Sequence, residues 1–168
     1  MSTDTGPEEH LEWIHDKAGR RYRLHISDSS GLWVLKVYDG RVLVAESKCV
    51  RRQDELLVGD LLVFDAAKHP QTPLARALRL LTRRGPRSVN YRGRGLGTAL
   101  LTFIIERAVA KGLSRLRGNL FPRDLRANPN LPGWYRGFGF AVDMKSPESG
   151  AISLVLPPAR SHSPSTGR

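Results

Sequence analysis

A short glycine-rich stretch, RGRGLGT at residues 92–98, has the residue types of an anion-binding loop. Glycines let the backbone adopt positive φ angles and approach a ligand closely. Backbone N–H groups at the start of a helix form an anion site, which the helix dipole favours further. The stretch therefore predicts a binding site for a diphosphate. Its residues are Arg92, Gly93, Arg94, Gly95, Leu96, Gly97 and Thr98.

Two common phosphate-binding loops do not fit this stretch. A dinucleotide fingerprint requires a glycine three positions after Gly95, where the chain has Thr98. A Walker loop requires Gly-Lys-Ser or Gly-Lys-Thr, and neither triplet occurs. The alternative to a phosphate site is a glycine-rich turn that only connects two elements, since short glycine motifs recur by chance.

A second stretch, WYRGFGF at residues 134–140, fits two different functions. It resembles an RNA-reading strand, and Gly118–Leu120 resembles part of the partner strand of that fold. However, only 16 residues separate Leu120 from Gly137, too few for the helix, strand and loops that must join two such strands. We therefore predict that this stretch is a turn from a short helix into a strand. In an enzyme site, Tyr135 would be its functional residue.

Hydrophobic periodicity predicts the elements that must position these residues. The predicted strands lie at 21–27, 32–38, 41–50, 55–65, 113–121, 139–144 and 151–156. The predicted helices lie at 73–84, 98–111 and 134–138. This order predicts an α/β fold with a mixed, mostly antiparallel central sheet and flanking helices.

The positive charge of the chain is concentrated in its middle. The net charge is +11, and residues 66–127 carry 14 Lys and Arg against two Asp and Glu. Such a block attracts nucleic acid, phosphorylated cofactors or acidic partners, although a solvated basic surface needs no partner. The single cysteine, Cys49, excludes an internal disulfide and a cysteine metal cluster, and a buried, inert thiol is expected.

Two motifs resemble the GNAT superfamily of N-acetyltransferases. Arg92-x-x-Gly95-x-Gly97 resembles the pyrophosphate-binding motif that opens a helix in that family. Asn128, then Tyr135 and then Gly139-Phe140 keep the spacing of a second family motif. The resemblance implies a GNAT-like acyl-CoA N-acyltransferase fold and acetyl-CoA as cosubstrate, with no metal. It also implies that backbone amides from Gly93 to Thr98 hold the pyrophosphate and that Asn128 belongs to the cofactor site.

The resemblance implies an enzyme that transfers an acetyl group directly to a primary amine. Tyr135 matches the family's usual general acid, which donates a proton to the departing thiolate. The alternative for Tyr135 is a packing aromatic with a hydrated hydroxyl. The family's base is often a glutamate near the fourth strand. Candidates here are Glu46, Asp60, Asp65, His25 and His69, and none of them lies in a diagnostic motif.

The chain departs from the family pattern in two places. Most members have two helices between their first two strands, whereas only SDSSG separates Ile26 from Leu32 here. An insertion at about 66–90 precedes the glycine loop, and its basic helix is expected to replace the missing wall of the acceptor site. The identity of the acceptor is thus left open, and an acidic or RNA-linked amine would suit the basic block.

A binding module is the competing function: a non-catalytic acyl-CoA-binding protein, or an RNA-binding module that uses residues 66–127. We expect a flexible tail at 1–10, a single GNAT-like domain at 11–158 and a flexible tail at 159–168. No apolar run approaches the roughly 20 residues of a membrane span, so we expect a cytoplasmic protein with no membrane contact. The family resemblance also raises a homodimer as an expectation.

Overall fold

A computed structural model describes residues 8–65, 67–68 and 88–158 of the chain. The predicted helix at 73–84, most of the insertion and the predicted tail at 159–168 lie outside these residues. The strands are β1 (Glu8–His15), β2 (Arg21–Ser29), β3 (Leu32–Asp39), β4 (Val42–Arg52), β5 (Glu55–Val63), β6 (Ala67–Lys68), β7 (Ser88–Val89), β8 (Arg115–Leu120), β9 (Ala141–Ser146) and β10 (Ser149–Val155). The helices are α1 (Leu96–Ala110), α2 (Pro122–Ala127) and α3 (Leu131–Gly137).

Eight strands form one sheet in the order β1-β2-β3-β4-β5-β8-β10-β9, and β6 pairs with β7 separately. Strands β5 and β8 run parallel, and the chain between them includes β6, β7 and α1. The pairs β1–β2, β2–β3, β3–β4, β8–β10 and β9–β10 are antiparallel. The predicted α/β fold with a mostly antiparallel sheet is confirmed. No helix among the described residues is long and apolar enough to cross a membrane.

The chain divides into two compact units. The first comprises Met1–Val50 and Gly59–Phe103, and it contains β1–β3, most of β4 and the glycine loop. The second comprises Arg51–Val58 and Ile104–Arg168, and it contains β8–β10, α2 and α3. The single domain at 11–158 stays a prediction.

In the first unit, alternation along the strands places one face of the meander in the core. Tyr22, Leu24 and Ile26 of β2 are each at most 1% exposed, and Trp33, Leu35 and Val37 of β3 are fully buried. Cys49 of β4 is also buried, and burial raises the pKa of its thiol to about 11. The thiol is therefore protonated and unreactive at neutral pH, as expected from its strand position.

A two-residue hairpin joins β2 to β3. Ser30 and Gly31 both have positive φ, +49° and +84°, which is the backbone of the tightest hairpin turns. Strand pairing continues up to the turn, with Ser29 opposite Leu32. The connection therefore has no room for helices, and the predicted departure from the usual family pattern is confirmed here.

Strand β1 is absent from the prediction, which placed a flexible tail at 1–10. Glu8, Glu9 and His10 pair with Asp28, Ser27 and Ile26, so the tail prediction is wrong from residue 8 onward. The strand was missed because its apolar signal is divided between two faces. Ile14 is buried, whereas Trp13 is half-exposed, and β1 lies at the edge of the sheet.

In the second unit, β8 lies between β5 and β10. Close packing favours Gly118 of β8, because a Cβ there would lie 3.0 Å from the Val58 carbonyl oxygen and 3.1 Å from the Ile152 side chain. Helix α2 follows β8 directly and was not predicted. Its first residue is Pro122. Proline is tolerated there because an N–H in the first turn of a helix has no intrahelical acceptor. Strand β9 begins at Ala141, so residues 138–140 form the predicted turn from the short helix into a strand, and residues 137–140 are not an RNA-reading strand.

Candidate functional site

The glycine loop (residues 92–95) leads directly into α1. Gly93 and Gly95 have φ of +73° and +87°, a region that favours glycine. A Cβ on Gly95 would also lie 3.3 Å from both the amide nitrogen and the Cβ of Lys17. The first amides of α1, those of Leu96 and Gly97, have no intrahelical acceptor, and the first turn contains no acidic residue. This backbone is suited to binding an anion.

The two loop arginines already contact the chain. The exposed Arg92 donates from Nε to the Val63 carbonyl at 3.3 Å and lies 3.9 Å from the Asp65 carboxylate. Arg94 donates from Nε to the Asn90 carbonyl at 3.0 Å, and its guanidinium lies 5.1 Å from the centre of the Tyr91 ring. Arg94 is thus largely committed to the loop itself, whereas Arg92 is better placed to meet a ligand.

A tight turn between β1 and β2 packs against the loop. This turn, residues 16–20, is called the Asp16 turn. The Lys17 amide donates to the Arg94 carbonyl at 2.9 Å. The Asp16 carboxylate accepts from the amides of Ala18 and Arg20, at 2.9 and 3.0 Å, and from the Tyr22 hydroxyl at 3.0 Å. One buried carboxylate therefore organises the segment that touches the loop.

A second, partly buried pair holds Tyr91, the residue that precedes the loop. The Tyr91 hydroxyl donates to the Asp39 carboxylate at 2.7 Å, and Arg20 forms an ion pair with the same carboxylate. The rings of Tyr22 and Tyr91 meet edge to face, with centroids 6.3 Å apart. The loop is thus anchored to β2 and β3 as well as to the Asp16 turn.

The surroundings shift the pKa values of these groups in consistent directions. Burial alone would raise the pKa of Asp16, but three hydrogen bonds and the nearby Arg94 charge together lower it. Burial and the hydrogen bond to Asp16 raise the pKa of Tyr22. Burial and the hydrogen bond to Asp39 raise the pKa of Tyr91. At neutral pH, Asp16 is therefore an anion that accepts hydrogen bonds, and both tyrosines are neutral donors.

Tyr135 lies in the second unit, on α3, and is 7% exposed. Its ring meets Trp134 and Phe140 edge to face, with centroids 4.8 and 5.3 Å apart. Its carbonyl accepts from the amides of Phe138 and Phe140, at 3.0 and 3.2 Å. The ring is therefore held in one orientation by the turn that ends in Gly139-Phe140, the second part of the predicted motif.

Asn128 ends α2 in the same unit and is exposed. Its side-chain oxygen accepts from the Asn130 amide at 3.2 Å, and its backbone carbonyl accepts from the Leu131 amide at 3.0 Å. Asn128 therefore shapes the connection from α2 to α3, which positions Tyr135. Its role in cofactor binding stays a prediction.

The candidate bases are dispersed over the described residues. Glu46 is half-buried on β4, Asp60 is exposed on β5, and Asp65 is exposed beside Arg92. His25 is exposed on β2, with its ring 5.1 Å from that of Tyr38. His69 lies outside the described residues. Among the described residues, no group of His, Cys, Asp and Glu is arranged to hold a metal ion.

Sequence reasoning missed the residues that support the glycine loop: Asp16, Lys17, Tyr22, Asp39 and Tyr91. The one local signal is the string DKAG at 16–19, where an aspartate followed three residues later by a glycine is typical of a β-turn. Its contact with residues 91–95 is a tertiary contact between residues more than 70 positions apart, which leaves no local pattern.

Comparisons with known proteins agree with the motifs and the fold. The model of the acetyltransferase (GNAT) family matches residues 88–140. A sequence comparison with curated proteins finds no match. In structure, the chain is similar to the ribosomal-protein-S18-alanine N-acetyltransferase of Escherichia coli, with a TM-score of 0.50 and 15% identity over 84% of this chain and 77% of that one.

Two further solved structures are similar over different lengths. A cAMP-binding acyltransferase from Mycobacterium smegmatis has a TM-score of 0.56 and 12% identity over 91% of this chain and 49% of that one. The PaiA N-acetyltransferase of Thermoplasma acidophilum, in complex with coenzyme A, has a TM-score of 0.49 and 12% identity over 73% of this chain and 60% of that one. The chain thus spans less than two thirds of either protein.

At these sequence identities, structural similarity shows a shared fold only. The structures from Escherichia coli and Mycobacterium smegmatis support that fold assignment. The resemblance seen in the two sequence motifs is confirmed where the family model matches, which includes the glycine loop, Asn128 and Tyr135. The chain has the GNAT acyltransferase fold, and its residues 88–140 carry the acetyltransferase (GNAT) family match.

Proposed function

We propose that this protein is an N-acetyltransferase that moves an acetyl group from acetyl-CoA to a primary amine. The observation that carries the proposal is the glycine loop, with two positive-φ glycines directly before α1, inside the segment that matches the family. A helix start of this kind binds phosphate groups through its amides.

The donors of the glycine loop suit a pyrophosphate. The backbone amides from Gly93 to Thr98 would hold it, and Arg92 would add a nearby positive charge. Asn128 is proposed as a further cofactor-binding residue. When bound, acetyl-CoA supplies a thioester, whose acetyl group is transferred to the amine.

The chain's own contribution to the reaction is a proton. The amine must react in its neutral form, although a lysine-type amine has a pKa of about 10.4. As the bond from carbon to sulfur breaks, the sulfur takes the electron pair and is stabilised by a proton. We assign this proton to the Tyr135 hydroxyl, because the ring is fixed by Trp134 and Phe140. The acceptor's proton goes to a base that we leave unassigned among the candidates.

The acceptor is proposed to be a primary amine on an acidic or RNA-linked molecule. Support comes from the basic block, with its 14 Lys and Arg against two Asp and Glu over residues 66–127. Positive charge of this density attracts anionic molecules over distances of about 8 Å at physiological salt.

A turnover assay of the Tyr135→Phe variant tests the catalytic assignment. Thiol release from acetyl-CoA would be measured with a panel of amines, and Tyr38→Phe is the control tyrosine because it lies on β3, outside both sequence motifs. Loss of a general acid should lower kcat by a factor of about 100 to 10,000 with little change in the KM for acetyl-CoA. Unchanged kcat would remove Tyr135 from the mechanism.

Binding of acetyl-CoA by a wild-type protein that acetylates no amine would support the alternative, a non-catalytic acyl-CoA-binding module. An RNA-binding module predicts instead that RNA affinity falls steeply with salt, with a log–log slope of about −0.7 per phosphate contact.

A further inference from the structure

The contact between the Asp16 turn and the glycine loop determines the direction in which one loop amide points. The Lys17 amide donates to the Arg94 carbonyl at 2.9 Å. In a trans peptide, the carbonyl of one residue and the N–H of the next point in opposite directions. The bond from Lys17 therefore directs the Gly95 N–H away from the turn.

The same contact explains why the loop approaches so closely. A Cβ on Gly95 would lie 3.3 Å from the Lys17 amide nitrogen, so only glycine lets the Arg94–Gly95 peptide come within hydrogen-bonding distance of the turn without displacing it. Glycine at this position thus serves the conformation of the loop and its attachment to the Asp16 turn.

Asp16 holds the turn that makes this contact. Its side chain accepts three hydrogen bonds, from the amides of Ala18 and Arg20 and from the Tyr22 hydroxyl. Its own backbone amide donates to the Arg20 carbonyl at 3.0 Å, and its carbonyl accepts from Gly19 at 2.9 Å. The turn is therefore closed by one residue, and Lys17 is fixed within it.

We propose that the Asp16 turn is a positioning element of the cofactor site, which orients the Arg94–Gly95 peptide so that the Gly95 amide is presented to the pyrophosphate of the bound cosubstrate. The proposal rests on the proposed function. Asp16 and Lys17 do not touch the ligand in this scheme. They act through Gly95, and the Lys17 side chain has no part in it.

Four variants test the proposal by calorimetric titration with coenzyme A. Lys17→Pro removes the amide that donates to Arg94, whereas Lys17→Ala keeps it and is the matched control. Asp16→Ala opens the turn. Asp16→Asn keeps an oxygen that accepts from Ala18 and Arg20, so it is the conservative variant.

We expect Lys17→Ala to bind as the wild type, and Lys17→Pro and Asp16→Ala to bind about tenfold more weakly, as for the loss of one hydrogen bond to a charged group. Asp16→Asn should restore most of the affinity. The stoichiometry distinguishes positioning from misfolding, because a partly unfolded sample lowers the number of sites, whereas a misdirected amide raises Kd at one site per chain. Asp16→Ala and Asp16→Asn decide the question even where Lys17→Pro does not fold.

Two results would overturn the proposal. If Asp16→Ala binds coenzyme A with the Kd of the wild type, at whatever stoichiometry, the turn has only a structural role. The cofactor assignment would then stand. Absence of coenzyme A binding by the wild type would instead remove the proposed function, and the role of the Asp16 turn with it.

Discussion

Asp16 is a carboxylate buried beside the glycine loop, and its hydrogen bonds decide its charge. The residue is 7% exposed, and a buried carboxylate is costly unless it is hydrogen-bonded. Two amides and a hydroxyl supply those bonds. Tyr22 and Tyr91 stay neutral in the same surroundings, so Asp16 is an anion that accepts hydrogen bonds in the turn that contacts the glycine loop.

The pH dependence of stability follows from the lowered pKa of Asp16. The group's ordinary pKa is 3.8, and the folded state lowers it, so the unfolded chain binds more protons at acidic pH. The contribution of Asp16 is therefore fully present above about pH 4 and is lost as the pH falls through the folded-state pKa. Asp16→Asn should lower the free energy of unfolding by about 1–3 kcal/mol at pH 7.

The measurement is urea denaturation of the wild type and Asp16→Asn between pH 7 and pH 3. Other carboxylates, including Asp54, whose pKa is lowered mainly by its hydrogen bond from Ser114, titrate in both proteins, so the difference isolates Asp16. We expect this difference to shrink below about pH 4. A difference that stays constant or grows toward pH 3 would show that the charge of Asp16 does not stabilise the fold.

Among the elements, a two-residue hairpin joins β2 to β3, where the resemblance in sequence led us to compare the chain with a pattern of two helices. Both turn residues have positive φ, with Ser30 at +49° and Gly31 at +84°. The turn depends on Gly31 because glycine adopts this conformation without strain. Trp33 and Leu35, just beyond the turn, are fully buried. The turn therefore keeps the register that places the apolar face of β3 in the core.

Gly31→Ala should lower the free energy of unfolding by about 1 kcal/mol, because an L-residue is strained at this φ. Gly137→Ala is the control, since Gly137 has ordinary helical backbone and open space around its Cα. Thermal denaturation of both variants tests the expectation. Equal Tm values for Gly31→Ala and the wild type would mean that the hairpin tolerates another turn type.

The elements with strong local signals were predictable from the sequence, and those with weak ones were not. Strands β2–β5 follow clear alternation, and the predicted helix at 98–111 corresponds to α1 at Leu96–Ala110. The edge strand β1 and the short helix α2 were missed. In β1 the apolar residues lie on both faces, and α2 contains one buried residue, Leu125, so neither has an apolar stripe.

At the scale of the whole molecule, the glycine loop was predictable because its residues are consecutive in sequence. The residues that hold the loop in place were not predictable. Strands β1, β2 and β3 pair side by side, and Tyr91 joins them through the hydrogen bonds of its hydroxyl to Asp39 and of its amide to Phe64. A sheet register is a long-range property, which no short window of sequence encodes. The basic block likewise follows from composition, although its residues 66 and 69–87 lie outside the described structure.

Binding of acetyl-CoA in the glycine loop is what the proposed function depends on. Titration calorimetry at physiological salt, where the Debye length is about 8 Å, would compare the wild type with Gly95→Ala and Gly112→Ala. Gly112 also has positive φ, +71°, but a Cβ there would meet no atom within 4 Å, so its variant reproduces the backbone strain away from the loop. We predict one-site binding by the wild type and Gly112→Ala, and binding at least about tenfold weaker by Gly95→Ala. Equal binding by all three proteins, or none by the wild type, would contradict the assignment of the glycine loop as the cofactor site.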